Sequence, residues 1–379
     1  MKPGVRTIAF YLPQYHPISE NDEWWGKGFT EWTNVAKGKP LFKGHYQPHI
    51  PADLGYYDLR LPEVRQAQAD LAREYGIYGF CYYHYWFNGK QLLERPFNEV
   101  LASGKPDFPF CLCWANESWT RRWDGFDQDV LIEQTYGGKP DAKDHIRWLL
   151  QAFADERYIR VSGRPLFLIY RAREIPDIER MLSIWREEVN RAGLPGLYLC
   201  SVESSWSRNW DPTPHGFEAA VEFHPAFGLL PAKLLKRRKS FNLSSWRQKQ
   251  PRHWIVSYRD YVQCTLQRQY PNYKMFRCLV AGFDNTVRRQ NGLHASILHQ
   301  SSPEDFGIWL YHTAQWTKSN MPDSEQIVFI NAWNEWAEGN HLEPDERFGH
   351  AFLEQIQKAL RPSRILGTNI QHAKFVNVN

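Results

Sequence analysis

The sequence lacks the features of several large protein classes. No run approaches the roughly 18 consecutive apolar residues of a membrane-spanning helix. The first residues, MKPGVRTIAFYLPQYHP, contain no apolar core or small-residue cleavage site typical of a secretory signal. The formal net charge is only +4 over 379 residues, which does not indicate nucleic acid binding. We therefore expect a soluble, cytoplasmic protein that binds no nucleic acid.

Motifs that hold phosphates or metals are absent as well. No G-x-G-x-x-G or G-x-x-x-x-G-K-[ST] loop opens a helical segment, and no D-x-D pair ends a predicted strand with a nucleotide-binding pattern. The histidines lack the H-E-x-x-H spacing of zinc enzymes. We therefore predict that the protein requires neither a metal nor another cofactor. The missing phosphate loops also disfavour a doubly wound open sheet.

Cysteine is scarce, and its spacing excludes familiar thiol sites. The six cysteines stand at positions 81, 111, 113, 200, 264 and 278, and no pair has the C-x-x-C spacing of zinc or redox sites. Most fall inside predicted strands, where a free cysteine behaves as a small buried hydrophobe. We predict no disulfide bonds.

Aromatic residues, in contrast, are abundant. The chain has 17 Trp, 19 Tyr and 22 Phe, together 15% of its residues. Many of these rings will pack the core, but the excess indicates a lined cleft. Flat aromatic faces suit the apolar faces of sugar rings, and ligand pockets are commonly lined by aromatics with a few polar groups. The composition therefore favours a glycan ligand.

Short apolar runs alternate with segments of helical periodicity, such as residues 62–75, 142–156 and 178–192. Strands that alternate with helices predict βαβ units and a parallel sheet. Eight such strands indicate an α/β fold of the closed (β/α)₈ TIM-barrel type. The predicted strands are Thr7–Leu12, Ile77–Tyr83, Phe108–Trp114, Pro165–Tyr170, Gly196–Val202, Phe217–Phe223, Phe276–Ala281 and Gln326–Trp333.

Two long insertions interrupt the predicted barrel, in its first and sixth βα loops. The first, Pro13–Asp58, is rich in rings and is expected to fold over the mouth of the barrel. The second, Pro225–Tyr273, contains a basic stretch at residues 233–239. Such a stretch is either a solvated face or a contact for an anionic glycan, a lipid-linked phosphate or a membrane surface. We predict one domain over residues 1–360 and a C-terminal tail over 361–379.

The segment NAWNEWAEGNHLEP, Asn331–Pro344, is the most informative part of the chain. It follows a buried strand and places Glu335 and Glu338 three residues apart. If the chain turns there, both carboxyls can face one pocket about 5 to 6 Å apart, close to the spacing in retaining glycosidases. The flanking Trp333 and Trp336 would desolvate a carboxylate and raise its pKa, as a general acid requires. We predict that Glu335 and Glu338 form a catalytic pair.

Polar and aromatic residues end nearly every predicted strand, where barrel enzymes place their active sites. Together with tryptophans of the first loop, they are our predicted substrate contacts. These are Tyr11, Tyr15, His16, Trp25, Trp32, His84, Trp86, Trp114, Asn116, Glu117, Tyr170, Glu222, His224, Trp333, Asn334 and Trp336.

Four motifs carry a resemblance to a known family: FYLPQYHPISENDEWWGKGFTEWTNV, GFCYYHYWF, CLCWANESWTRRWDG and NAWNEWAEGNHLEP. With them the chain resembles the WbsX-type proteins of bacterial polysaccharide gene clusters, which contain a domain similar to glycoside hydrolase family 99. The resemblance covers roughly the whole predicted barrel. It implies a carbohydrate-active enzyme of O-antigen or lipopolysaccharide biosynthesis, acting on an oligosaccharide or polysaccharide.

Family 99 comprises retaining endo-α-mannosidases with a (β/α)₈ barrel and no required metal. By that resemblance, Glu335 would draw the proton from the sugar 2-hydroxyl so that a 1,2-anhydro sugar forms, and Glu338 would be the general acid/base. The first loop differs from that of the true endo-mannosidases, which leaves the sugar open.

Several alternatives remain at this stage. Glu117 could be the acid with Glu335 as nucleophile, and another sugar could replace water as the acceptor in a transglycosylase. WbsX proteins are often described as glycosyltransferases, so a sugar-nucleotide transferase is a third hypothesis. A non-catalytic glycan-binding protein that keeps the aromatic cleft is the fourth.

Overall fold

The computed structural model describes residues 4–121, 126–204, 209–239, 252–289 and 294–361. All of the predicted C-terminal tail except Arg361 lies outside these ranges. Within the basic stretch, Lys233 is exposed, and the side chains of residues 236–239 lie outside the described part.

Eight parallel strands close into a barrel, which confirms the predicted TIM-barrel architecture. Each strand pairs with the next along the chain, and the first pairs with the last, Arg6 aligning with Ile327. The strands are β1 (Arg6–Tyr11), β2 (Gly79–Phe87), β3 (Phe110–Trp114), β4 (Arg164–Ile169), β5 (Tyr198–Glu203), β6 (Ala219–Glu222), β7 (Met275–Val280) and β8 (Ile327–Asn331).

The apolar runs form these strands because both of their faces are covered. In β8, Ile327, Val328, Phe329 and Ile330 are all completely buried. Full burial of such side chains contributes about 1.5–3 kcal/mol each. Parallel strands buried on both faces read as continuous apolar runs rather than as alternating ones.

Helices surround the barrel, and three of them match the periodic segments expected from the sequence. Pro62 begins α3 with its fixed φ at the first helical position, and the side chains of Ser257 and Ser302 cap α7 and α8. None of the described helices is long and apolar enough to cross a membrane. The helices are α1 (Ser19–Trp25), α2 (Glu31–Val35), α3 (Pro62–Glu74), α4 (Arg95–Ser103), α5 (Gly138–Phe153), α6 (Ile178–Arg191), α7 (Tyr258–Leu266), α8 (Pro303–Asn320) and α9 (Ala351–Leu360).

The connection between β5 and β6 departs from the ideal barrel. Its described part holds a 3₁₀ turn, Thr213–His215, in place of an α-helix. The six cysteines are all free.

The βα loops at the carboxyl ends of the strands build a second layer over the barrel. The first loop carries α1 and α2 and is bonded to the chain after β8, where Ala52 N–H donates to Pro344 O at 3.0 Å. The sixth and seventh loops share a four-stranded sheet of Lys236–Lys239, Arg252–Ser257, Ser296–His299 and Phe283–Asp284. Shorter strands are Lys90–Leu92, Trp119–Arg121, Phe126–Ile132, Arg160–Val161, Asn334–Glu335 and Asn340–His341.

Candidate active site

The chain after β8 folds back on itself in a small hairpin, which we term the Glu335 loop (residues 334–341). Strand Asn334–Glu335 pairs antiparallel with Asn340–His341 around the 3₁₀ turn Trp336–Glu338. Gly339 ends the turn at φ +55°, where a Cβ would lie 3.1 Å from Cβ of Asp284. Glycine adopts a positive φ without strain and has no Cβ to collide with Asp284. Gly339 therefore permits the turn that brings the two glutamates together.

Arg288 joins three carboxylates in this loop region. Its Nη2 lies 2.5 Å from Oε1 of Glu335 and 3.0 Å from Oε2 of Glu31, and its Nη1 lies 2.8 Å from Oε1 of Glu338. Arg288 follows β7, and Glu31 begins α2, so three βα loops meet on one guanidinium. The planar guanidinium presents several N–H donors in a fixed geometry, which suits such shared binding.

Burial sets the protonation of this cluster. It raises the pKa of Glu338 to about 7, with Arg288 opposing the rise and Glu335 adding to it. Burial also raises the pKa of Glu335 and of Glu31, again against Arg288. Burial would lower the pKa of Arg288, but the three carboxylates raise it well above its ordinary value. Glu338 can therefore gain or lose a proton near neutral pH.

A cleft of about 460 Å³ opens above the pair at the carboxyl ends of the strands. Its polar lining includes Glu117, Arg171 and Glu174. Arg171 is ion-paired with Glu117 at 2.5 Å and with Glu174 at 2.8 Å. The rings that line it are Trp25, Tyr83, Tyr85, Trp119, Tyr170 and Phe223. The cleft thus combines aromatic walls with a floor of carboxylates.

Five of the residues proposed from the sequence line this cleft: Glu335, Glu338, Trp25, Glu117 and Tyr170. The structure places the other predicted substrate contacts in packed surroundings outside the cleft lining. They are Tyr11, Tyr15, His16, Trp32, His84, Trp86, Trp114, Asn116, Glu222, His224, Trp333, Asn334 and Trp336.

Some of these buried residues hold the Glu335 loop in place. Asn334 accepts from Leu12 N–H at 2.8 Å and donates to Leu12 O at 3.0 Å, which fixes the loop to the end of β1. The hydroxyl of Tyr15 donates to Asn334 O. Trp32 packs on Trp336 with ring centroids 5.6 Å apart. These contacts act on the site through the loop.

Others face the helix layer. The rings of Trp86, His84 and Trp114 pack around His145 of α5, with Trp86 stacked on it at 4.6 Å. Burial lowers the pKa of His84 to about 3. Tyr11 donates to Gln68 of α3 at 2.7 Å. These side chains lie on the outer side of the barrel wall.

Three further predicted positions have local partners. A ring nitrogen of His16, Nδ1, lies 3.0 Å from Pro13 O. Asn116 accepts from Arg171 N–H at 2.8 Å and so helps to place Arg171 at the cleft. The main chain of Trp333 donates to Phe10 O at 2.7 Å, within the barrel frame.

Glu222 belongs to a buried ion network. It lies 2.8 Å from Arg277, 3.2 Å from Arg268 and 3.2 Å from His224. Burial would raise its pKa, but Arg277, then His224 and Arg268, bring it to about 2. A carboxylate held so firmly in its charged form acts as an anchor for β6 and β7.

The sequence analysis did not select several residues that the structure brings to the site. Tyr83 and Tyr85 of β2 line the cleft, as do Arg288 and Arg171. Glu31 lies in the quoted first motif and contacts Arg288. For the two tyrosines, strand alternation was an available signal; for Arg288 the sequence carries no local motif.

Glu343, in the closing NHLEP of the same segment, supports the loop from below. Its carboxylate accepts hydrogen bonds from Gln68 Nε2 at 2.6 Å, Tyr57 OH at 2.8 Å and Trp336 Nε1 at 2.6 Å. Burial raises its pKa to about 7, and these donors oppose the rise. One carboxylate thus fixes side chains from the first loop, α3 and the Glu335 loop.

We expect Glu343→Leu to lower the free energy of unfolding by about 2–3 kcal/mol, because buried donors then lose their acceptor. The isosteric Glu343→Gln keeps one acceptor oxygen and should cost about 1 kcal/mol. Urea unfolding of both variants beside the wild type measures the difference. Equal destabilisation by the two substitutions would show that the loss of stability comes from altered packing and not from the hydrogen bonds of Glu343.

Residues 7–356 match the model of the family described as Glycosyltransferase WbsX. The chain belongs to the WbsX family. Two curated relatives are the uncharacterized protein WxcX of Xanthomonas campestris pv. campestris, from strain ATCC 33913 at 42% identity and from strain B100 at 43%, each over 363 residues. The match covers 96% of this chain and 50% of each relative, so this WbsX-family chain spans about half the length of those proteins.

Solved structures share the fold of this WbsX-family protein. A glycoside hydrolase-like protein superposes with a TM-score of 0.58 at 14% identity, covering 96% of both chains. The GH99 endo-alpha-mannosidase from Bacteroides thetaiotaomicron gives 0.54 at 15% identity, covering 93% of this chain and 96% of that one. The predicted family and the predicted barrel are both confirmed.

Proposed function

We propose that this WbsX-family protein is a retaining glycoside hydrolase that cleaves a bacterial oligosaccharide or polysaccharide with Glu335 and Glu338. One observation carries the proposal: both carboxylates meet on Arg288 at the floor of an aromatic cleft of about 460 Å³. The cleft lies at the carboxyl ends of the strands, where TIM-barrel enzymes place their active sites. The two structural neighbours, a glycoside hydrolase-like protein and an endo-alpha-mannosidase, are named for this kind of chemistry.

The two glutamates differ in a way that divides the roles. The side chain of Glu335 is 8% exposed and makes the shorter contact with Arg288, whereas that of Glu338 is 26% exposed. The pKa of Glu338, about 7, supplies a carboxylic acid near neutral pH. Glu338 is therefore the general acid, and the ion pair with Arg288 favours the carboxylate form of Glu335.

In the proposed reaction, Glu335 accepts the proton of the sugar 2-hydroxyl, whose oxygen attacks the anomeric carbon. Glu338 protonates the departing glycosidic oxygen as the bond breaks, which gives a 1,2-anhydro sugar and the free leaving group. Water then opens the anhydro ring: Glu338 takes a proton from the water, and the 2-oxygen regains its proton from Glu335. The two inversions give net retention at the anomeric carbon.

Transfer is a second candidate, favoured by the family description Glycosyltransferase WbsX. A transglycosylase would use the same pair, with an acceptor sugar in place of water. A sugar-nucleotide transferase would instead need a nucleotide site. The alternative acid Glu117 lines the same cleft, but its ion pair with Arg171 at 2.5 Å suits a binding role better. Contact of residues 233–239 with a lipid-linked glycan stays a prediction.

The test is a screen of the purified protein against α-mannosides and bacterial O-antigen fragments, with released reducing ends as the readout. The double variant E335Q/E338Q is the blank, and proton NMR of the first product gives its anomeric configuration. We expect release by the wild type alone, with retention. No release, together with a rise in Tm on adding a nucleotide sugar, would favour transfer. Glycan binding that the blank retains in full, without release by either form, would indicate a non-catalytic binding protein.

A further inference from the structure

Three side chains, half-buried His49 and buried His341 and Asp345, converge at the end of the Glu335 loop. His49 comes from the first βα loop, and the other two follow the turn that carries Glu338. Their nearest ligand atoms all lie within 4.8 Å of one another. Nδ1 of His49 is 2.9 Å from Nε2 of His341, which is 3.7 Å from Oδ2 of Asp345. Two imidazole nitrogens and a carboxylate oxygen therefore point at one small volume.

The orientation of His341 matches that of a metal ligand. Its Nδ1 lies 2.9 Å from the carbonyl oxygen of Glu343, to which it donates, so its Nε2 presents a lone pair to the cluster. Metal-binding histidines typically donate their other ring N–H to such an acceptor. The ring of Trp336 stacks on His341 at 3.7 Å and holds its plane.

Asp345 is fixed in a similar way. Its Oδ1 accepts the main-chain N–H groups of Arg347 at 3.0 Å and Phe348 at 2.6 Å. Its other oxygen, Oδ2, is the one near His341. The carboxylate is thus oriented before any ion is bound, and it supplies the negative charge that a cation needs.

The space beside the three residues also fits a cation. A cavity of about 50 Å³ adjoins the three residues, enough for a water as a further ligand, and none of its lining residues lines the large cleft.

We propose that His49, His341 and Asp345 bind one Zn²⁺ ion, with water as the fourth ligand. Two imidazoles and a carboxylate around a tetrahedral ion are a ligand set that zinc accepts. The ion braces the first βα loop against the Glu335 loop, next to Gly339, where a Cβ would come within 3.3 Å of His49. The alternative is a single proton shared between the two histidines. Motif spacing does not reveal the set, because His49 and His341 are 292 residues apart.

The test uses the full chain without a polyhistidine tag, stripped with a chelator and titrated with Zn²⁺ by calorimetry. We expect one equivalent to bind and Tm to rise with it. Substituted Co²⁺ should show the visible absorption of a tetrahedral site. His49→Gln and Asp345→Asn should weaken zinc binding by at least about 100-fold. His312→Gln, at a half-buried histidine of α8 outside the cluster, is the matched control and should bind as the wild type does.

Absence of saturable zinc binding by the wild type would overturn the proposal in favour of the shared proton. Binding that survives His49→Gln would equally overturn it, because the ion would then lie elsewhere. Since Asp345→Asn also alters the turn at Arg347, the His49 variant is decisive, provided its far-UV circular dichroism matches the wild type. Neither readout depends on the hydrolysis proposed above.

Discussion

Glutamine in place of Glu338 should lower kcat by about 10²- to 10⁴-fold, the usual contribution of a general acid, while KM changes little. The amide keeps the shape and the contact with Arg288 but has no proton to donate to the leaving oxygen. Glu335→Gln should cost as much, because the 2-hydroxyl then loses its base. Initial rates on the substrate found in the glycan screen give both numbers.

The same assignment fixes the direction of the pH dependence. The pKa of Glu338 is raised from its ordinary value to about 7, so its acid form exists below that pH and is lost above it. Turnover by the wild type should therefore decline as the pH rises through about 7. Glu338→Gln should leave only a slow rate without that alkaline limb.

Glu174→Gln is the matched control, since Glu174 lines the same cleft and contacts Arg171 rather than Arg288. It should change kcat by no more than a few-fold. If Glu117→Gln instead cost as much as Glu335→Gln while Glu338→Gln stayed active, the pair would be Glu117 and Glu335.

Arg288→Gln should lower the free energy of unfolding by about 3–5 kcal/mol at slightly alkaline pH, which is the usual cost of removing one partner from a buried ion cluster. Arg288 is 10% exposed, and Glu31, Glu335 and Glu338 would lose their common cation. Activity should fall with it, because Glu335 would no longer be held as a carboxylate.

The loss of stability should depend on pH with a definite sign. Burial raises the pKa of all three carboxyls above their unfolded value, and removal of Arg288 raises it further. In Arg288→Gln these three carboxyls therefore do not destabilise the fold below their unfolded pKa, where they are protonated in both states. As the pH rises, they must stay protonated or become buried charges, and the free energy of unfolding falls. Urea unfolding should show a small difference from the wild type near about pH 4 and a large one near about pH 8.

Arg289→Gln is the control for Arg288→Gln, because it removes one positive charge from the neighbouring residue. Arg289 is half-buried, and no ion pair of it occurs among the described residues, so its substitution should change stability by less than about 0.5 kcal/mol. A pH-independent loss in Arg288→Gln would mean that packing of the side chain, and not its charge, is what the variant removes.

The barrel could be predicted from the sequence because its signal is local. Strands such as β8 are buried on both faces, so their composition alone separates them from the amphipathic helices. Glu335 and Glu338 could also be proposed, since both belong to one short segment that turns at Gly339. The sequence pattern could not reveal that Arg288 binds these two glutamates and Glu31. Arg288 lies 47 residues from Glu335 and 257 residues from Glu31 in the sequence.

The residues of β2 show why several predicted contacts lie outside the cleft. Successive side chains of a strand point to opposite faces. His84 and Trp86 pack against α5, whereas Tyr83 and Tyr85 line the cleft. A polar or aromatic residue near a strand end can therefore face either the cleft or the helix layer. A shift of one position along the strand changes which of the two it faces. Choosing between them requires the register of the barrel, which no single segment contains.

The bonding of the first βα loop to the end of the barrel has a consequence for synthesis of the chain on the ribosome. Tyr57 is hydrogen-bonded to Glu343, 286 residues later in the chain, and Leu12 is hydrogen-bonded to Asn334, 322 residues later. At about 5–20 residues per second, the first loop emerges roughly 15 to 60 seconds before these partners exist. During that interval Trp32 lacks its contact with the ring of Trp336, and Tyr15 lacks its hydrogen bond to Asn334 O. The first loop therefore cannot complete its packing until the end of the barrel has been synthesised.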